Sequence, residues 1–124
     1  PYREEQARWL EQLVATEQYR TARYRIVVSH LPIPCTSDDD SEAGARYFSD
    51  LMRPILNRAD VDLMVCGHLQ PATYTLREAD GETAFPTLVQ GRNSALRMDI
   101  AEGKITLHVV DADGNTLLSR ELPK

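Results

Sequence analysis

The chain has 124 residues, 42% hydrophobic and 27% charged, a balance typical of one globular domain. Its formal net charge of −5 weighs against a nucleic-acid partner, because nucleic-acid-binding domains present a basic surface. No apolar run approaches the roughly 20 residues of a membrane-spanning helix, so no membrane segment is expected. The sequence begins at Pro1 rather than Met. We therefore expect its natural N-terminus to be missing, and the cellular location stays unknown.

The first half of the chain alternates helices and strands. Apolar residues recur at helical spacing in two segments, and two short β-branched or apolar runs predict buried strands. In chain order we predict a helix over 3–19, a strand over 24–30, a loop over 31–41, a helix over 42–57 and a strand over 61–66. Pro54 should kink the second helix or begin its last turn. The strand over 61–66 is apolar on both faces, as expected of a strand covered on both sides.

The second half, after Pro71, consists of short strands separated by turns. Three dipeptides, Asp80-Gly81, Glu102-Gly103 and Asp113-Gly114, are hairpin signals. We predict an antiparallel meander with strands in the segments "ATYTLREA", "TAFPTLVQ", "ALRMDIA", "KITLHVVDA" and "TLLSREL". The predicted fold class is α+β in one domain, with helix–strand–helix–strand over 1–71 and the meander over 72–124.

Two histidines stand where chemistry is expected. His30 and His68 each follow an apolar strand and precede a loop. Ligands of open α/β sheets collect at such strand ends, and imidazole is a common metal ligand and acid–base group. Two histidines at matching positions therefore indicate a shared site. His108 lies inside a predicted strand and is interpreted as a structural or surface residue.

The segments that contain these histidines resemble a known family. "WLEQLVATEQYRTARYRIVVSHLP" (9–32) followed by "LMRPILNRADVDLMVCGHLQ" (51–70) is similar to the second half of a calcineurin-like metallophosphoesterase. In that family a strand ending in an H-x-P motif is followed by a helix and then by a strand ending in G-H-x-H. The resemblance covers roughly residues 8–74. It implies a layered β-sandwich flanked by helices, and a meander similar to the family's second sheet.

The resemblance also implies a metal site. Family members use two divalent metal ions, such as manganese, iron or zinc, to hydrolyse phosphate mono- or diesters. A shared hydroxide attacks while the cations neutralise the transferring phosphoryl group. By motif position, His30 and His68 would bind one of the two metals. Gln70 stands where the family has its second histidine, and an amide oxygen is a weaker ligand than imidazole for zinc or iron.

The family's other ligand motifs, of the forms D-x-H, G-D-x-x-D and G-N-H-E, do not occur in this chain. Two histidines and a glutamine do not hold a dinuclear site, because each catalytic metal needs about three protein ligands. We therefore expect the chain to be the C-terminal part of a larger phosphoesterase and to be inactive on its own. Its strands would lack neighbours, so we expect a homo-oligomer or exchanged strands.

Other interpretations stay open. The chain could be a non-catalytic pseudo-phosphoesterase, or an interaction or oligomerisation module built on the meander. The cysteines form no disulfide framework and are expected to be buried. A structural zinc site from His30, Cys35, Cys66 and His68 has suitable residue types, but its spacing matches no zinc finger or ribbon.

The segment "QGRNSALRM" (90–98) contains a glycine turn that resembles one beside the family's metal site. Arg92 or Asn93 could contact a substrate phosphate there. The alternative is a plain turn between two strands, because glycine and asparagine are common in turns.

Overall fold

The computed structural model describes residues 2–33, 43–67, 71 and 73–123 of the chain. Within them, helices, a four-stranded mixed sheet and a three-stranded antiparallel sheet confirm the predicted α+β fold class. None of the helices in this part of the chain has the length and apolar character that a membrane span requires.

The helices are α1 (Tyr2–Val14), α2 (Glu17–Thr21) and α3 (Ala43–Asn57). The prediction of one helix over 3–19 is wrong, because the chain breaks at Thr16. Thr16 is extended (φ −73°, ψ 155°) and its Oγ1 accepts a hydrogen bond from the backbone N–H of Tyr19 at 3.2 Å. A threonine in this position caps the start of a new helix.

The prediction of a helix over 42–57 agrees with α3 from residue 43 onward; Glu42 lies outside the described residues. Pro54 lies in the last turn of α3, which is the second of the two alternatives that the sequence predicted for it. Proline has no backbone N–H, so Pro54 cannot donate the helical hydrogen bond to the carbonyl oxygen of Asp50.

The first sheet consists of β1 (Ile26–Ser29), β2 (Leu63–Cys66), β3 (Tyr74–Arg77) and β4 (Thr87–Gln90). Its strand order is β1-β2-β4-β3. The first three strands in this order are parallel, and β3 is antiparallel to β4. The two strands predicted in the first half are therefore adjacent, as a site shared by His30 and His68 would require.

The second sheet consists of β5 (Ser94–Ala101), β6 (Lys104–Asp111) and β7 (Thr116–Pro123), in the order β5-β6-β7. Its strands are antiparallel neighbours joined by the predicted hairpins. Gly103 and Gly114 in these turns have φ of +82° and +84°, which favours glycine over other residues.

The antiparallel meander is thus confirmed for residues 94–123, but the preceding strands differ from the prediction. β3 and β4 form a hairpin that belongs to the first sheet, because β4 pairs in parallel with β2.

The turn between β3 and β4 is closed by Asp80, whose Oδ1 accepts hydrogen bonds from the N–H groups of Glu82 and Thr83.

The molecule has three layers, with the first sheet in the middle. On one face, Met64 of β2 packs with residues of α3 such as Met52 and Leu56. On the other face, Leu63 packs with Ile105 and Leu107 of the second sheet. Alternate residues of β2 therefore face different layers, which confirms that this strand is covered on both sides.

Candidate functional site

Three parallel strands of the first sheet end at the same edge. The register pairs Ser29 with Cys66 and Cys66 with Val89. The residues that follow these strands, including His30 and Gly67, therefore lie together at the carboxyl ends of β1, β2 and β4. We call the group formed by His30, Gly67, Pro71, Thr73 and residues 90–94 the carboxyl edge. Ligands of α/β sheets bind outside such strand ends.

His30 lies at the carboxyl edge beside the glycine of the G-H motif. The N–H of Gly67 donates a hydrogen bond to the carbonyl oxygen of His30 at 3.1 Å. A Cβ atom at Gly67 would lie 4.0 Å from Nδ1 of His30, so the imidazole runs alongside this glycine. His30 is exposed, so a solvent ion has access to it. His68 is the next residue in the sequence after Gly67.

His68 and Gln70, the other predicted metal ligands, lie outside the described residues. The residues on either side of the segment 68–70 are described, and both are held at the carboxyl edge. Gly67 is bonded to His30, and the carbonyl oxygen of Pro71 accepts a hydrogen bond from the N–H of Arg92 at 3.2 Å.

The turn after β4 is held against Pro71 and Thr73 by backbone hydrogen bonds. The N–H of Gly91 donates to the carbonyl oxygen of Thr73 at 2.8 Å. A Cβ atom at Gly91 would approach the carbonyl oxygens of Thr73 and Pro71 to 2.3 and 2.4 Å, so only glycine fits. Arg92 and Asn93 are exposed in this turn. The structure thus brings these two predicted phosphate contacts to the same sheet edge as His30.

Gln90 and Ser94, which flank this turn, were missed in the sequence. Nε2 of Gln90 donates to Oγ of Ser94 at 2.6 Å, and Oγ of Ser94 donates to the carbonyl oxygen of Thr73. These bonds fix the orientation of the Gln90 amide, whose buried Oε1 has no hydrogen-bond partner among the residues that the structure describes. In the sequence, the only indication of these hydrogen bonds was the position of two polar residues, Gln90 and Ser94, on either side of the Gly-Arg-Asn turn.

Cys66, a member of the alternative zinc site, has a buried thiol that contacts the carbonyl oxygen of Leu88 at 3.8 Å. Burial raises the pKa of the Cys66 thiol to about 11, so a zinc ion would have to displace a tightly held proton to bind there. Cys35, the other cysteine of that set, lies outside the described residues.

His108 takes no part in the carboxyl edge. It lies on β6 of the second sheet, where its Nε2 is 3.1 Å from Oδ2 of Asp99. Its register partners are Arg97 of β5 and Ser119 of β7. This placement agrees with its interpretation as a structural or surface histidine.

Donor groups for a metal are few in the part of the chain that is described. There, no group of three or more histidine, cysteine, aspartate or glutamate side chains could hold a metal ion. Among the described residues of the carboxyl edge, His30 offers an imidazole. The other ligands of a metal bound there would have to come from residues outside the described part of the chain. No family model matches the chain, and no curated protein matches it.

Proposed function

We propose that the chain is the C-terminal portion of a dinuclear metal-dependent phosphoesterase that hydrolyses phosphate mono- or diesters. The main support is the carboxyl edge. Two parallel neighbouring strands end there, one followed by His30 and the other by Gly67, which precedes His68 in the sequence. The turn with Arg92 and Asn93 is hydrogen-bonded to Pro71 and Thr73. This arrangement agrees with the H-x-P and G-H-x-H motifs of calcineurin-like metallophosphoesterases.

The proposed ligands are nitrogen and oxygen donors that suit manganese, iron or zinc. His30 and His68 would bind one metal through imidazole, and Gln70 would offer an amide oxygen to the other. When bound, the metal pair supplies an activated water and neutralises the charge of the phosphoryl group. The remaining ligands would come from a segment that is not among these residues, because the motifs D-x-H, G-D-x-x-D and G-N-H-E are absent from the chain.

Arg92 and Asn93 would orient the substrate. A guanidinium group offers planar paired donors that match the oxygens of a phosphate, and an amide adds a further donor. The hydrogen bonds of Gly91 to Thr73 and of Arg92 to Pro71 hold the backbone of this turn in place. A fixed backbone positions the two side chains at the sheet edge that also presents His30.

The test compares two histidine variants in the longer protein that contains this chain. His30→Asn should lower kcat/KM for an aryl phosphate ester by about 100-fold or more and reduce the bound metal, because it removes a metal ligand. Metal content is measured by mass spectrometry. His108→Asn is the matched control and should change both quantities by less than about twofold, since it lies on the second sheet.

Metal content and turnover of the aryl phosphate ester, measured on the 124-residue chain alone, test whether this chain lacks most of the metal ligands. We expect neither turnover nor tightly bound metal, because the chain lacks most of the ligands that each metal needs. Stoichiometric metal on the chain alone would overturn the proposal and favour a local site. An active longer protein in which His30→Asn and His108→Asn behave alike would also overturn it.

A second candidate function is a non-catalytic module that keeps the fold for interaction or oligomerisation. Gln70 favours it, because an amide replaces an imidazole at a position that serves the second metal in the resembled family. The absence of metal and of turnover in the longer protein would support this candidate. Intact D-x-H, G-D-x-x-D and G-N-H-E motifs in the longer sequence would count against it.

A further inference from the structure

Two polar side chains flank the turn that carries Arg92 and Asn93. Gln90 is the last residue of β4, and Ser94 is the first residue of β5. Nε2 of Gln90 donates to Oγ of Ser94 at 2.6 Å, and this Oγ donates to the carbonyl oxygen of Thr73. We call these two hydrogen bonds the Gln90–Ser94 network. They tie the far end of the turn to the chain that precedes β3.

The same segment holds the near end of the turn. The N–H of Gly91 donates to the carbonyl oxygen of Thr73 at 2.8 Å, and the N–H of Arg92 donates to that of Pro71 at 3.2 Å. The carbonyl oxygen of Thr73 therefore receives donors from both ends of the turn, Gly91 and Ser94. A backbone that is fastened at both ends holds its side chains within a narrow range of positions.

The Gln90 amide decides which acceptor receives the Ser94 proton. A serine hydroxyl has a single proton, whereas a carboxamide has a donor nitrogen and an acceptor oxygen. Because Nε2 of Gln90 faces Oγ of Ser94, the proton of Ser94 is directed to Thr73. An acceptor atom in the place of Nε2 would compete with Thr73 for that proton. A glutamine therefore fits this position better than a glutamate of the same size.

The network does not have the form expected of a purely stabilising contact. Oε1 of Gln90 is buried and has no hydrogen-bond partner among the described residues. A buried acceptor without a partner lowers stability, and an apolar side chain at position 90 would avoid this loss. Residues that lower local stability are expected at functional sites. The network lies at the carboxyl edge, beside the proposed substrate contacts.

We propose that Gln90 and Ser94 are positioning residues for substrate binding. They touch neither substrate nor metal, but hold the turn so that Arg92 and Asn93 are aligned with the phosphate group of the ester. The paired donors of a guanidinium group bind phosphate well only in the matching orientation, so the alignment of the turn governs affinity. This inference rests on the proposed function, because it concerns the phosphate contacts of that site.

The first test measures phosphate binding in the longer protein that contains this chain. Ser94→Ala removes the hydrogen bond to Thr73. It should raise the Kd for inorganic phosphate, and KM for an aryl phosphate ester, by about tenfold, because the phosphate contacts lose their alignment. Titration calorimetry measures the Kd. Metal content, measured by mass spectrometry, should not change, since neither positioning residue is a metal ligand.

Tyr24→Phe is the matched control. The Tyr24 hydroxyl also donates to a backbone carbonyl oxygen of a distant segment, that of Ala101, at 2.7 Å. Tyr24 precedes β1, whereas His30 follows this strand, so the control lies at the opposite end of the sheet. It removes a comparable hydrogen bond but should leave the Kd and KM within about twofold. A general loss of stability would affect both variants alike.

Hydrogen exchange tests the network without phosphate or turnover. Ser94→Ala should speed exchange of the Gly91 and Arg92 amides by about fivefold, the effect of one lost hydrogen bond. Gln90→Glu should do the same, because its carboxylate takes the Ser94 proton from Thr73. Gln90→Met offers no strong competing acceptor and should exchange like the unmodified protein. Equal exchange rates in Gln90→Glu and Gln90→Met would overturn the role assigned to Gln90.

The inference and the proposed function fail in different ways. If the longer protein binds metal and turns over the ester, but Ser94→Ala binds phosphate as Tyr24→Phe does, the positioning role is overturned and the proposed function stands. If Ser94→Ala loses metal together with phosphate, the network belongs to the metal site, which also overturns the positioning role. A longer protein with neither metal nor turnover overturns the proposed function and the inference together.

Discussion

The two sheets are connected in opposite ways. The second sheet consists of consecutive strands, and each hairpin turn joins neighbours in both sequence and space. In the first sheet, β1, β2 and β4 are parallel, and α3 separates β1 from β2 along the chain. Its carboxyl edge is closed by contacts of Gly91 and Arg92 with Thr73 and Pro71. Local sequence therefore determines the second sheet, whereas contacts between distant segments determine the candidate site.

The glycines of the two regions differ in the same way, since some are required by local structure and one by contacts with another segment. Gly103 and Gly114 are required by their own backbone, since each has a positive φ and a Cβ atom at either position would meet nothing within 4 Å. Gly91 has no positive φ, but a Cβ atom there would collide with two carbonyl oxygens of another segment. The first requirement acts within a turn, and the second acts between segments.

The largest effect expected from this difference is that of Gly91→Ala. The added Cβ would lie 2.3 Å from the carbonyl oxygen of Thr73, and a backbone atom has little room to move. We expect a loss of about 3 kcal/mol in the free energy of unfolding, typical of severe overpacking. Urea titration measures it. Gly81→Ala is the control, because nothing lies within 4 Å of its Cβ position, and it should change stability by less than about 0.5 kcal/mol.

A smaller effect is expected from Gly103→Ala in the hairpin between β5 and β6. Its φ of +82° is unfavourable for a residue with a Cβ atom, so we expect a loss of about 1 kcal/mol. The same urea titration applies. If Gly103→Ala proved as damaging as Gly91→Ala, the distinction between a local and a between-segment requirement would fail.

The smallest effect concerns acid stability of the turn between β6 and β7. Hydrogen bonds from Asn115, the backbone N–H at 2.8 Å above all, lower the pKa of Asp111. A lowered pKa in the folded state means that this stabilisation is present above the unfolded pKa of about 3.9 and is lost as the pH falls through the folded value. Asp111→Asn should therefore weaken the fall in urea midpoint between about pH 5 and about pH 2.

Asp113→Asn is the matched control for this pH dependence. Asp113 lies in the same turn, but it bonds to Asp111 through its backbone N–H, which donates to Oδ1 of Asp111 at 2.9 Å. The control variant keeps that N–H and should keep the acid dependence of the unmodified chain. If the urea midpoint fell equally with decreasing pH in Asp111→Asn and in the unmodified chain, the hydrogen bonds around Asp111 would not govern the turn's response to acid.

The sequence predicts those parts of the fold that depend on neighbouring residues. The hairpins at Gly103 and Gly114, the strand before Gly67 and the helix around Pro54 all follow from local patterns. The break between α1 and α2 also had a local signal, because Thr16 followed by Glu17 is a typical helix start. That signal was weaker than the continuous apolar spacing, and the prediction joined the two helices.

The membership of β3 and β4 in the first sheet could not be predicted, because antiparallel hairpins look the same in either sheet. Parallel pairing of β4 with β2 is set by tertiary contacts, which leave no mark in a short window of sequence. The site follows the same rule. A site shared by His30 and His68 was predicted from the matching strand ends and stays a prediction, whereas the hydrogen bonds that join Gln90, Ser94 and Thr73 were not predicted.

The parallel arrangement of β1, β2 and β4 also affects the order in which the chain folds. Contacts between distant segments form slowly, because the intervening chain must first lose its freedom. β2 acquires its second neighbour only when β4 has been synthesised, so its apolar residues stay unprotected while translation proceeds. The hairpins of the second sheet are local and can close quickly once made. We therefore expect the newly made chain to depend on chaperones most strongly while β1 and β2 are complete and β4 is not.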